Sequence, residues 1–155
     1  MALSDITQRQ CAITTIVLES VGWVHKTIEV SHAAGWLPGQ LLYGLIGGDG
    51  IDNKNIPRAV LIEKDLVGKT VHDTYDANEA LIVWYPQPAD RAALRLQDST
   101  SIEEGDYVCA AASGDVRKWV DGQDEPAAIL GIAQADLDLT GANVGGINLL
   151  EVLLF

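Results

Sequence analysis

Gly68-Lys69-Thr70 is the triplet that chemistry notices first, because Gly-Lys-Thr closes the loop that cradles nucleotide phosphates. That loop needs a glycine five residues before the lysine, and Lys64 stands there, so a nucleotide-binding loop is excluded. Gly47-Gly48-Asp49-Gly50 offers backbone N–H groups to an anion, yet Asp49 repels phosphate and no strand-to-helix context follows, so it reads as a turn. Asp49, Asp52, Asn53 and Asn55 are rich in oxygen, but they lack the glycine and closing acid of a calcium loop. His25, His32 and His72 show no zinc-ligand spacing and read as surface or capping residues. Cys11 and Cys109 form no CxxC and no Cys/His cluster. Both sit in apolar runs, where burial raises a thiol pKa, and both read as free, inert core residues. No GxSxG motif is present, and the many carboxylates single out no acid–base pair. The expectation is therefore no enzyme, no cofactor and no metal. A hydrolase assembled from distant residues is the weakest alternative.

The tryptophans serve either a core or an interface. Trp84 lies in the apolar run Ala80–Tyr85 and is expected in the core. Trp23 and Trp36 stand among glycines, where burial against a partner suits them as well as burial within the chain. Trp119, beside Arg117 and Lys118, fits either role.

The elements that must position these residues are β-strands. Ala80–Tyr85 is continuously apolar, rich in β-branched and aromatic residues and stopped by Pro86 and Pro88, as befits a strand buried on both faces. Cys11–Leu18, Leu41–Ile46, Ala59–Glu63, Ala92–Leu96, Asp106–Ala111, Val116–Val120, Ala128–Ala135 and Ile147–Phe155 are further strand candidates. Asp65–Tyr75 reads as one helical turn or a compact loop. No long run repeats apolar positions at three and four, so helix bundles and βαβ sheets lose support. The expected fold is mainly β, a small antiparallel β-barrel or sandwich with an extended N-terminal arm and at most short helical turns. Residues 1–20 form the arm and first strand, 21–58 a loop-rich β segment, and 59–155 the main β domain.

At 155 residues and 48% apolar composition, one domain can build its core without disulfides or a structural metal. The formal charge of -12 disfavours a phosphate backbone or an anionic bilayer as partner. The charge is uneven. Residues 1–97 hold 11 acids and 8 bases, whereas residues 98–155 hold 11 acids and 2 bases, so the C-terminal third should face solvent or a basic partner. No basic segment precedes a continuous apolar run near the start, and no stretch reaches membrane-span length, which points to synthesis in a reducing cytoplasm.

Several motifs follow one another in a recognisable order. Glu63 is followed by Leu66-x-Gly68-Lys69-x-x-x-Asp73-x-Tyr75, an apolar strand, Pro86-x-Pro88-x-Asp90 and Ile102-x-x-Gly105-Asp106. Then come Ala112–Lys118, Ile129-Leu130-Gly131-Ile132-Ala133, Asp136, Gly141 and Glu151-Val152. This order resembles the head decoration, or capsid cement, proteins of tailed bacteriophages. The chain departs from that family at Pro88-Ala89-Asp90, where Pro-Gly-Asp is usual, and at Ser113-Gly114-Asp115, where Gly-Asp-Gly is usual. Residues 1–58 match only through Pro38-Gly39-x-Leu41-Leu42-Tyr43.

The resemblance implies a β-tulip-like domain that binds the outer face of an expanded icosahedral shell and braces neighbouring major capsid protein subunits. It implies self-association, with a homotrimer ahead of a homodimer, and no role for nucleic acid or membrane. Cys11–Leu18, with Trp23 and Trp36, would add a strand to a coat-protein sheet edge or swap onto another copy. The candidate interface residues are Ile13, Ile16, Leu18, Trp23, Trp36 and Trp119. The acidic C-terminal third would face outward, away from DNA. The alternative is a carbohydrate- or surface-binding β module with Trp23, Trp36 and Trp119 as stacking platforms.

Overall fold

Residues 15–20, 25–29, 31–42, 59–64, 67–141 and 148–155 are described by the computed structural model. Their strands are β1 (Val17–Glu19), β2 (His25–Ile28), β3 (Val60–Leu61), β4 (Leu81–Trp84), β5 (Arg91–Arg95) and β6 (Ser101–Ile102). They continue with β7 (Tyr107–Ala110), β8 (Val116–Lys118), β9 (Ile129–Ala133), β10 (Leu137–Asp138) and β11 (Leu149–Leu154). A 3-10 turn, Pro126–Ala128, precedes β9. The fold is mainly β and its strand pairs are antiparallel. One sheet runs β1-β5-β11-β9-β7-β8, a second β2-β4-β3, and β10 pairs with β6. Of the two expected architectures the chain takes the open, sandwich-like one, since β1 and β8 lie at opposite edges of the large sheet.

β4 explains why its sequence is apolar throughout. Strand side chains alternate between faces. Trp84 and the neighbouring Val60 of β3 enter the main core with Ala92, Leu94, Leu150 and Val152 of the large sheet. Leu81 and Val83 point the other way, into a second cluster with Leu42, Leu61 and Tyr75. Apolar cover on both faces of one strand is what an unbroken apolar run requires. Tyr75 fastens β3 to β4: its hydroxyl donates to Ile62 O at 2.7 Å and accepts from Ile82 N–H at 3.2 Å. Burial pushes that phenol up to about 12.

Residues 37–42 are laced into the same body. Gly39 N–H donates to Leu61 O, Leu41 N–H to Gly114 O, and Arg95 Nε to Pro38 O at 2.7 Å. Gly39 has φ +88°, and a side chain there would press on Leu149 and on the backbone of Ala93. Gly131 sits in β9 so close to β11 that a Cβ would lie 2.1 Å from Leu153 O.

β2, β6 and β10 were not expected from the sequence. β2 is an edge strand whose Lys26 and Thr27 are exposed, so it shows no apolar pattern, and the other two are two-residue pairs with no periodicity to detect. The first ten residues, Cys11, most of the Leu41–Ile46 run and the Gly47–Gly50 turn lie outside the described residues.

Candidate interaction surface

Three aromatic rings meet at one end of the large sheet. Tyr107 opens β7 and Trp119 follows β8, and antiparallel pairing sets them opposite each other, with Trp119 N–H donating to Tyr107 O at 2.8 Å. Directly opposed residues share a face, so the rings touch, with centroids 6.2 Å apart at 89°. Phe155, just past β11, donates its N–H to Leu130 O and brings its ring 6.4 Å from Tyr107 at 65°. Tyr107 is 45% exposed, Phe155 48% and Val120 39%, which makes this the main cluster of large exposed apolar side chains among the described residues. Val67, 70% exposed, is the other large exposed apolar residue.

The loop that carries Trp119 is pinned from below. Arg117 forks onto Asp124 with two hydrogen bonds of 2.7 and 2.5 Å, and Val120 N–H donates to the same carboxylate at 2.9 Å. The Arg117 guanidinium thereby holds the Asp124 carboxyl down at about 2 although its side chain is only 2% exposed. The Trp119 indole N–H donates to Glu125 O at 3.2 Å, closing the loop. Lys118 pairs with Asp106 at 2.7 Å. Both cations of the C-terminal third are thus matched to carboxylates, while Glu103, Glu104, Asp121 and Glu125 stand exposed on the adjoining turns. The surface is aromatic at its centre and acidic around it.

Of the residues singled out from the sequence, Trp119 belongs to this surface. Ile16 is fully buried in the main core and Leu18 packs against it, because β1 pairs with β5 of its own chain. Trp36 is half-buried against the second cluster and stacks on His32 at 4.4 Å. Ile13 and Trp23 lie outside the described residues. Tyr107 and Phe155 were missed because only long-range strand pairing brings them to Trp119; their types alone carry no such signal.

The motif residues behind the family resemblance have architectural roles. Asp73 accepts from Thr70 N–H at 2.7 Å, Asp90 from Gln87 N–H at 2.7 Å and Asp106 from Glu103 N–H at 3.0 Å. Glu79 repeats the arrangement on Asp76 N–H at 2.8 Å. In each case a carboxylate caps the backbone three residues earlier and fixes a turn. Cys109 is buried, with its sulfur 3.8 Å from Asp124 Oδ2, and burial pushes the thiol up to about 11, where it is not a nucleophile. His32 corrects the expectation of a surface or capping residue: it is buried, because it fills the space between Trp36 and the Asn78–Glu79 turn. His72 is exposed, as expected.

Among the described residues no three His, Cys, Asp or Glu side chains converge as metal ligands, and no helix is long and apolar enough to cross a membrane. No protein-family model matches the chain, and no curated protein matches it.

Proposed function

We propose that the chain is a structural virion protein that binds the outer surface of an expanded icosahedral phage capsid and braces neighbouring major capsid protein subunits. The carrying observation is the surface on which exposed Tyr107 and Phe155 meet the half-buried Trp119, supported by the order of motifs that resembles the decoration proteins. Aromatic residues concentrate binding energy where they become desolvated at the centre of an interface. The acidic surroundings favour a coat surface that presents Lys or Arg.

Binding only to the expanded lattice would stabilise that state by mass action at each site. An oligomer that spans two or three coat subunits gains effective concentration for its second and third attachments. The near-perpendicular rings make a ridge, whereas a sugar would stack on a flat face, so the carbohydrate reading is the weaker one.

Sedimentation with expanded capsids tests the proposal. Replacing both Tyr107 and Phe155 by Ser should weaken saturable attachment about thirtyfold or more, since aromatics that matter at an interface contribute about 1 kcal/mol or more each. Attachment of the double variant with unchanged affinity and occupancy would overturn the assignment of this surface.

A further inference from the structure

His32 presents both ring nitrogens to groups that only accept hydrogen bonds. Nδ1 lies 2.7 Å from Ala33 O and Nε2 lies 2.8 Å from Glu79 O. A neutral imidazole has one N–H and one lone pair, so it donates to one of these carbonyls and sets its lone pair against the other. Only the imidazolium donates to both. The ring is 8% exposed and lies over the face of Trp36, with centroids 4.4 Å apart and planes 21° from parallel, a position that favours a cation.

We propose that His32 is a proton-operated clasp that closes the 31–36 segment onto the turn before β4. Besides the imidazole, the segment reaches that turn through Ser31 Oγ, which donates to Asn78 Oδ1 at 3.1 Å, and through backbone bonds. His32 N–H donates to Asn78 Oδ1 and Asn78 N–H returns a bond to His32 O, each at 3.1 Å. Gly35 and Trp36 pair with Tyr75. Asn78 has φ +57°, and the two flanking bonds to His32 help to hold this left-handed residue in place.

The charged groups around the clasp are largely committed elsewhere. The Glu79 carboxylate is tied to Lys64 at 2.6 Å and Lys69 at 3.3 Å, and Asp76 faces Lys69 at 3.7 Å. The Tyr75 hydroxyl is spent on Ile62 O and Ile82 N–H. Glu29 lines the open groove beside Ser31 and Asn78. Because the doubly protonated form makes both bonds, the clasp is closed while His32 is charged and loses one attachment as rising pH removes the proton.

Nitrogen-15 NMR of the imidazoles in the full chain tests it directly, with exposed His72 as internal comparison. The expected result is that His32 carries protons on both ring nitrogens under the conditions in which the 31–36 segment is best protected. Amide protection of Asn78 and Gly35, corrected for intrinsic exchange, should then fall roughly tenfold as the ring deprotonates, the scale of one net hydrogen bond. His32→Gln, which donates to one carbonyl only, should hold protection at the lower level at every pH. A single neutral tautomer where the segment is best protected, or protection in the unaltered chain that does not follow the protonation of the His32 ring, would overturn the proposal.

Discussion

Asp124→Asn tests how the aromatic surface is held, because Asn keeps the shape of the side chain and its acceptor for Val120 N–H while removing the charge that Arg117 grips. Holding a carboxyl at about 2 against an ordinary value of 3.8 corresponds to about 2 kcal/mol in favour of the charged form. The carboxyl is almost wholly buried, so little of that is screened by solvent. The sign follows from the direction of the shift. A carboxyl whose pKa is lower in the folded state contributes stability that is present above pH 4 and drains away as pH falls toward 2. Urea unfolding at pH 7 should therefore show the variant less stable by about 2 kcal/mol with an unchanged slope, and the gap should narrow as the acid limb is approached. The Trp119 indole N–H, bonded to Glu125 O in the same loop, should lose exchange protection in the variant. Equal stability at pH 7, or a deficit that is the same at pH 7 and near pH 2, would refute the role given to the Arg117–Asp124 pair.

Other positions give independent checks. Gly131→Ala would drive a methyl into the Leu153 carbonyl of β11 and should cost about 3 kcal/mol or more, read as a lower melting temperature or loss of soluble protein. Ala89 occupies φ +73°, the left-handed region, at the place where the resembled family usually has glycine. Ala89→Gly should relieve about 1 kcal/mol of strain, offset in part by the freer unfolded chain, and raise the melting temperature by about 1–2 °C. Tyr75→Phe leaves Ile62 O and Ile82 N–H without their shared hydroxyl between β3 and β4 and should cost about 1–3 kcal/mol in chemical denaturation.

Strands were legible in the sequence where both faces, or one face consistently, are apolar. Leu81–Trp84 is the clearest case, buried between two clusters and bounded by Pro86. β2 was invisible because an edge strand paired on one side needs no apolar alternation, and His25-Lys26-Thr27-Ile28 has none. The turn carboxylates were legible only as motif letters, and the i to i+3 cap that Asp73, Asp90 and Asp106 share gives those letters a physical reason. The surface was half legible. Trp119 was singled out by type, but its partners Tyr107 and Phe155 are 12 and 36 residues away in sequence, and the β7–β8, β7–β9 and β9–β11 pairings bring the three together. Ile16 shows the reverse: an apolar residue in an apparent arm proves to be core because β1 completes the edge of its own sheet.

If the chain braces a capsid as proposed, it belongs to the finished virion. Mass spectrometry of purified virions, with copy number measured against the major capsid protein, tests it most directly. The chain should be found in mature particles at a fixed ratio to the coat protein, with one copy per coat subunit if a trimer sits at every local three-fold position. Absence from mature particles would contradict it.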